Sequence, residues 1–394
     1  TDKAFAGADT LATSYALSLA VKSLSPDLVF CGRKTLEGDT GQVPVMMSEK
    51  LGYNFIGNAM SICCDDEKIT CETRENDTIT QEFPTVVTIE RINNLRLPSI
   101  FSKPGEVEIL NASDIGADIN CCGLSGSPTR VLKTGENNYG KRKCKFISVD
   151  ELDWAIQECL KKEKSKTHQA IKCSNKLDKV FAVGKETLDF AQQVSDDIVV
   201  LEKLPAEDIL KCIVENKPKA VLFGSDAYGK YTAAVIAAKL DLGLCADCTS
   251  LTTDGKELFM IRPALAGTVI AEIRSLTVPA LATVRTESQN DNNIFVCIGY
   301  GAKDNVNEIK NFAKKINAQL CSTRRMVDSG ILPYEYQVGL TGKTISPPVY
   351  IAFGVSGAVH HIVGMQKSGT VIAINKDKNA PIFDYADYGI VTTL

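Results

Sequence analysis

With 394 residues, 44% of them hydrophobic and 23% charged, the chain can bury large cores, and its length suits two or three domains of a soluble globular protein. A net charge of -4 lacks the basic excess that drives nucleic-acid binding, and the longest apolar runs, such as 349–353 and 371–374, are strand-length and too short to span a bilayer. Fourteen cysteines at scattered spacings predict free thiols in a reducing compartment, and a start at Thr1-Asp2-Lys3 without Met predicts a processed or truncated beginning.

Taken in chain order, Asp9 and Thr10 can cap a helix over 10–21, where small and apolar residues recur at spacings of three and four. Residues 26–32 predict a buried strand ending on Gly32, and the polar loop Glu37-Gly38-Asp39-Thr40-Gly41-Gln42 leads into a helix running to about Leu51. A strand, a glycine loop and a helix N-terminus in succession form a place where α/β proteins hold anions. Alternating runs at 59–62, 68–74 and 78–82 predict antiparallel strands, and a further strand follows at 84–89. The apolar residues of 93–101 fall in a loop, where folding back onto the domain is the commoner fate and partner docking the other. Residues 134–176 predict a charged linker with one helix around Trp154.

After the linker the chain repeats itself. Residues 218–224, Pro-Lys-Ala-Val-Leu-Phe-Gly, echo 26–32, and each is followed by a polar loop, a helix ending in Lys-Leu, short strands and a Pro-led strand at Pro84 or Pro279. A third unit begins at Ile294 with a strand, the turn Gly299-Tyr300-Gly301 and an amphipathic helix over 305–316; strands at 349–353 and 370–374 continue the alternation of a doubly wound parallel sheet. Two glycine loops, at 337–343 and 354–361, and Asn375-Lys376-Asp377 lie within this unit, and backbone N–H groups, hydroxyls, amide and lysine together suit a dinucleotide. A Walker A loop is excluded because its first glycine would fall at Gln337, and Asp304 stands where GxGxxG needs its third glycine. Cys245 and Cys248 lack a second CxxC pair, so they predict buried thiols and not a metal site.

These residues resemble the electron transfer flavoproteins, with a β-subunit-like part fused ahead of an α-subunit-like part. The flavin domain of the α type resembles 294–394 through Thr323-Arg324-Arg325-Met326-Val327-Asp328, the two glycine loops, Asn375-Lys376-Asp377 and Ala386-Asp387-Tyr388-Gly389-Ile390-Val391. Residues 177–290 are similar to the other α-subunit domain through 243–248 and Arg262-Pro263-Ala264, and 1–133 to the later part of a β subunit through Ala8-Asp9-Thr10, 38–43, Ile92-Asn93 with Arg96, and 126–130. The fold class that follows is α/β. It has two similar Rossmann-like, adenine-nucleotide α-hydrolase-like domains at 1–133 and 177–290, a linker at 134–176, and a doubly wound parallel-sheet FAD-binding domain at 291–394.

The resemblance implies an FAD-dependent electron carrier without a substrate of its own, and hence no catalytic residues and no metal. Its partners would be a flavin dehydrogenase, such as the acyl-CoA dehydrogenase of fatty acid β-oxidation, and a downstream acceptor. Its location would be cytoplasmic, or the mitochondrial matrix in a eukaryote, and its hinge would lie near 287–293. The implied flavin contacts are Thr323, Arg324, Gln337, Val338, Gly339, Thr341, Gly342, Ser356, Gly357, His360, His361, Asn375 and Lys376. Arg324 would lie against the isoalloxazine and raise its potential, Thr341 would donate near N5, and His361 would sit at the O2 side. Ser356, Asn375 and Lys376 would hold the ribityl and pyrophosphate groups. A second nucleotide, AMP or a second FAD, would be held by Ala8, Asp9, Thr10, Gly32, Asp39, Thr40, Gly41, Gln42 and Val43, and Ile100 with Phe101 would dock the partner. Taken one at a time, Arg324 also reads as a surface ion-pair partner, Ser356 as a turn residue and the His pair as capping or core histidines. Leu340, His360, Tyr300 and Thr393 depart from the family's Gln, Gln, Arg and Asp. The alternatives are an NADH-dependent electron-bifurcating flavoprotein and a redox-inactive nucleotide-binding relative.

Overall fold

The structure, a computed structural model, describes residues 2–35, 37–74, 77–90, 99, 101–103, 105–136, 141–163, 173, 175–265, 269–285, 294–340, 342–343 and 345–393. Two compact units are present. The first comprises Thr1–Thr134, Ile171–Ala264 and Ala271–Thr286; the second comprises Gly135–Ala170, Leu265–Ile270 and Glu287–Leu394.

The first unit opens with α1 (Thr10–Leu24), capped by Asp9, whose carboxylate accepts from Leu11 and Ala12 N–H. There follow β1 (Leu28–Gly32), α2 (Val43–Leu51), β2 (Asn54–Cys64), β3 (Lys68–Thr73), β4 (Thr78–Glu82), β5 (Thr85–Ile89) and β6 (Thr129–Glu136). α2 has Pro44 in its first turn and stops at Gly52, whose φ of 69° gives the left-handed C-terminal residue that satisfies the last carbonyls. The sheet order is β1-β5-β2-β3-β4, with β5 parallel to both β1 and β2 and the outer strands antiparallel.

Next in sequence, β7 (Lys145–Phe146) and α3 (Leu152–Glu163) belong to the second unit. The first unit resumes with β8 (Val180–Val183), α4 (Leu188–Val194), β9 (Ile198–Leu201), α5 (Ala206–Asn216), β10 (Ala220–Gly224), α6 (Ala227–Leu240) and β11 (Leu244–Cys248). It closes with β12 (Ser250–Thr253), β13 (Leu258–Ala264), β14 (Val269–Ser275) and β15 (Ala280–Val284). Strands β11-β15-β10-β8-β9 make a parallel sheet, and β12-β13-β14-β6 a third sheet.

The internal repeat is visible in the pairing. β1 lies beside β5 with Leu28 opposite Thr85, and β10 lies beside β15 with Ala220 opposite Ala280. The prolines that lead β5 and β15, Pro84 and Pro279, both follow cis bonds. α2 and α6 share one apolar core, where Val45 and Met46 meet Phe223, Ala233 and Ile236, and Lys50–Asp241 and Lys239–Glu49 ion pairs flank it. The copies differ at one edge. β10 is buried along its whole length between β8 and β15, whereas among the described residues β1 is an edge strand with Phe30 54% exposed.

The second unit adds β16 (Ile294–Ile298), α7 (Val306–Lys315), β17 (Gln319–Ser322), α8 (Arg324–Asp328), β18 (Val349–Phe353), α9 (Val359–Met365), β19 (Thr370–Asn375) and β20 (Tyr388–Val391). All neighbours in the sheet β17-β16-β18-β19-β20-β7 are parallel. One face is packed by Ile309, Ala313, Ala155 and Ile156, and the other by Val338, Ile362, Met365 and Ile382, so both faces are covered, as parallel strands require.

The stretch expected to be a linker is therefore largely part of this unit: β7 extends its sheet and α3 buries Ala155, Ile156 and Cys159 against it. Arg142 reinforces the attachment by donating to the carbonyls of Gly369 and Ser368 and to Asp387. The expected hinge at 287–293 lies outside the described residues. No helix among the described residues is long and apolar enough to cross a membrane, and all 14 cysteines are free.

Candidate functional site

In the second unit the chain runs from β16 to β17 on one side and then returns across β16 to β18 on the other. The crevice at the carboxyl ends of these strands, where the direction of winding reverses, is where open parallel sheets bind ligands. Four segments converge on that edge: 299–301 after β16, 322–324 after β17, 354–361 after β18 and 375–377 after β19.

The glycines bring the loops together. A Cβ on Gly299 would lie 2.3 Å from the Gly354 carbonyl oxygen, and Gly301 N–H donates to that same oxygen at 3.0 Å. Gly357, at φ 89°, would put a Cβ 2.2 Å from Ile382 N. The loop 337–343 closes on itself, with Lys343 N–H donating to Gln337 O at 2.7 Å and Gly339 N–H to Lys343 O at 3.1 Å; Gly342 leaves room for the Gln337 carbonyl 2.2 Å from its would-be Cβ. Gly339, Gly342 and Gly357, expected as flavin contacts, also lie where neighbouring backbone leaves no room for a Cβ, a use that sequence spacing cannot distinguish.

Polar groups lie at the carboxyl ends of these strands. Ser322 Oγ and Thr323 Oγ1 are buried without a hydrogen-bond partner, a condition that costs about 1–3 kcal/mol per group unless something fills it. Arg324 is exposed and pairs with Asp328 at 3.2 Å, one turn along α8. Ser356, His360 and Lys376 are exposed. Such a set, two unsatisfied hydroxyls with cations and a hydroxyl around them, fits a flavin dinucleotide.

Other expected contacts are already engaged. Asn375 Nδ2 donates to Val355 O at 2.8 Å and its Oδ1 accepts from Asp377 N–H, so both ends of the amide hold the loops. His361 is 6% exposed, with Nδ1 3.0 Å from Val338 O and Nε2 2.8 Å from the Tyr350 hydroxyl. Gln337 and Val338 are buried, and Thr341 lies outside the described residues. Sequence reasoning missed Ser322, Tyr350 and the cysteine pair Cys297 and Cys321; the alignment of β16, β17 and β18 that brings them together has no local signature.

The first unit carries a second cluster around the N-terminus of α2. Thr10 Oγ1 donates to Gln42 Oε1 at 3.0 Å, and Gln42 Nε2, on the residue that precedes α2, is buried without a partner. Gly32 is open, and Gly41 has φ 65°. The first turn of α2 has no side-chain cap, leaving Val43 N–H and the helix dipole directed outward. Gly41, Gln42 and Val43 therefore lie at the uncapped start of α2, with Thr10 tied to it through Gln42. Asp9 is occupied elsewhere, capping α1 and accepting from Thr129 N–H and Oγ1, and Asp39 is buried in an ion pair with Lys34. Ala8 and Thr40 are half-buried.

The docking position Ile100 lies outside the described residues; Phe101 is 86% exposed. Cys245 and Cys248 are buried, and the Cys248 thiol donates to the Cys245 carbonyl.

A parallel sheet with polar, glycine-lined loops at its switch point defines a nucleotide-binding α/β protein. Comparison with known families narrows this. Residues 289–366 match the profile "Electron transfer flavoprotein FAD-binding domain", and 1–115 with 201–310 match "Electron transfer flavoprotein domain". The electron transfer flavoprotein subunit alpha of Thermoanaerobacterium thermosaccharolyticum is 34% identical over 235 residues, covering 48% of this chain and 71% of the relative. Protein FixB of Clostridium saccharobutylicum is 32% identical over 258 residues, covering 52% and 77%. The subunit alpha of Mycobacterium tuberculosis is 35% identical over 230 residues, covering 48% and 72%. The chain belongs to the electron transfer flavoprotein family and is α-subunit-like.

Proposed function

We propose that the chain is an FAD-dependent electron carrier that accepts electrons from a flavin dehydrogenase, such as an acyl-CoA dehydrogenase, and passes them to a downstream acceptor. The observation that carries this reading is the pair of unsatisfied buried hydroxyls, Ser322 Oγ and Thr323 Oγ1, inside the stretch that matches the FAD-binding domain. Bound FAD supplies the one- and two-electron chemistry. The chain's own residues hold and tune it: Ser322, Thr323 and Ser356 donate to polar atoms, while Lys376 offsets pyrophosphate charge. Arg324, exposed except for Asp328, is free to swing onto a ring and place a permanent cation there, which favours the reduced, more negative cofactor. The reading treats 291–394 as a doubly wound FAD-binding domain and 1–133 and 177–290 as similar Rossmann-like domains, the first of them β-subunit-like. The family profile that matches twice and the repeated strand register support this.

A second nucleotide belongs to the same proposal. The uncapped N-terminus of α2 with the orphaned Gln42 amide suits the phosphate of AMP or of a second FAD. A visible spectrum of gently purified protein, with its flavin-to-protein ratio, tests the whole. One FAD per chain supports the carrier with AMP, and two with NADH oxidation support the bifurcating alternative. Failure to retain or take up any flavin would leave the redox-inactive relative.

A further inference from the structure

The buried face of the second unit holds four titratable groups that the electron-carrier reading does not use. Cys297 on β16 and Cys321 on β17 are direct register partners in adjacent parallel strands. Tyr350 on β18 and His361 on α9 complete the group, and all four are buried, none more than 6% exposed.

Hydrogen-bond chemistry fixes one proton of the histidine. His361 Nδ1 faces the Val338 carbonyl at 3.0 Å, and because a carbonyl only accepts, Nδ1 carries a proton. Nε2 then faces the Tyr350 hydroxyl at 2.8 Å and the Cys297 sulfur at 3.8 Å. A neutral ring would accept there from Tyr350; a ring that took the Cys297 proton would be an imidazolium beside a thiolate. Burial opposes either charge alone, but the two neutralise one another within contact distance. For Cys297, burial pushes the thiol up, yet the Cys321 hydrogen bond, the His361 charge and the hydrogen bonds with His361 and Tyr350 outweigh it and bring the thiol down to about 5. His361 moves the opposite way: burial lowers it, and the Cys297 charge, the Cys297 hydrogen bond and Val338 O raise it above its ordinary value. Burial and the neighbouring Cys297 hold Cys321 and Tyr350 well above theirs, against opposing pulls on Cys321 from the Tyr350 hydrogen bond and Lys343, so both remain donors.

Building on the flavin reading, we propose that Cys297 is a positioning residue for the flavin site, giving its proton to His361 and forming a buried thiolate–imidazolium pair that anchors the 338–343 loop. The S–H bond of Cys297 breaks and an Nε2–H bond forms on His361, with no change in net charge and no electron transferred. Cys321 and Tyr350 donate to the sulfur. The imidazolium holds Val338 O, while the neighbouring His360 O accepts from Leu340 N–H at 2.6 Å, so residues 360 and 361 brace the loop at Leu340 and Val338.

With three histidines in the chain, 15N NMR can assign His361 in the full-length protein with the help of a His361→Gln variant. The expected result is an imidazolium signature at pH 7, with an ultraviolet thiolate absorbance that disappears in Cys297→Ser and persists in Cys321→Ser. In Cys297→Ser, His361 should revert to the neutral Nδ1–H form, and its titration should move downward. A His361 that is neutral in the wild type across pH 6–8, or thiolate absorbance lost only in Cys321→Ser, would overturn the proposal. The wild-type spectrum decides the matter even if a variant does not fold. Neither readout needs flavin, so a charged pair in a protein that takes up no FAD would sink the flavin reading alone. With FAD bound, Cys297→Ser should also shift the midpoint potential; an unchanged potential would overturn the link to the flavin.

Discussion

At the residue scale, one strong electrostatic commitment is Asp247, 6% exposed in the left-handed region at φ 56°. Burial alone would raise its carboxyl, but the charges of Lys230, Arg285 and Arg262 outweigh that and hold it well below the usual range. A depressed carboxyl contributes stability above its unfolded value and loses it as pH falls, here below about 4. Asp247→Asn keeps a side chain that tolerates this backbone, yet strands three cations; it should cost about 3 kcal/mol near neutrality, and denaturant melts of variant and wild type should converge on acidification. Equal stability at pH 7 would refute this. Arg324 makes the opposite case. Its ion pair with Asp328 is exposed, so Arg324→Ala should change stability by less than about 0.5 kcal/mol while weakening FAD retention and lowering the flavin potential. Both residues stand out in the sequence as charged positions, but only the fold separates them: local spacing cannot reveal that Asp247 is ringed by Lys230, Arg262 and Arg285 from three other elements. The same limit applies to Gly342 and Gly357, expected as flavin contacts, where Gln337 O and Ile382 N already leave no room for a Cβ.

At the element scale, legibility follows period and length. Residues 220–224, 294–298 and 349–353 are short continuous apolar runs, and each forms a parallel strand buried along its length, because strands covered on both faces need no polar alternation. α3 was legible as a helix, but its destination was not, since Trp154 stacking edge-on against Tyr388 and Ile156 packing in the core are tertiary facts. β1 is the element whose sequence and setting disagree. Leu-Val-Phe-Cys-Gly is a run suited to burial, and Phe30 is 54% exposed where its counterpart Leu222 is 0% exposed. An apolar edge strand without a charge invites intermolecular pairing. Phe30→Lys should therefore reduce self-association in light scattering across a concentration series, at a stability cost below about 1 kcal/mol. The matching change Leu222→Lys should cost more than about 4 kcal/mol by burying an unpaired charge. If Phe30→Lys associates as readily as the wild type, the edge is not the adhesive surface.

At the scale of the whole molecule, each unit has cores of its own, with Phe181, Phe223 and Ile236 in the first and Val296, Ile351 and Ile372 in the second. Each also presents its candidate nucleotide position on different chemistry. The first offers the uncapped turn of a helix and one amide donor, suited to a single phosphate; the second offers hydroxyls and cations along the edge of a sheet, suited to an extended dinucleotide. Ligand binding stabilises the state it selects, by about 2.7 kcal/mol at a hundredfold excess over Kd, so hydrogen exchange mapped along the chain can assign each nucleotide to its unit. FAD should slow exchange at 322–325 and 355–361, and AMP should slow it at 40–46, where Val43 and Val45 N–H groups open α2. If FAD slows both regions and AMP neither, the second position is a flavin site and the bifurcating alternative gains. Unaltered exchange at 322–325 with FAD would mean that the Ser322 and Thr323 hydroxyls are not ligand donors, and the flavin assignment would fall with them.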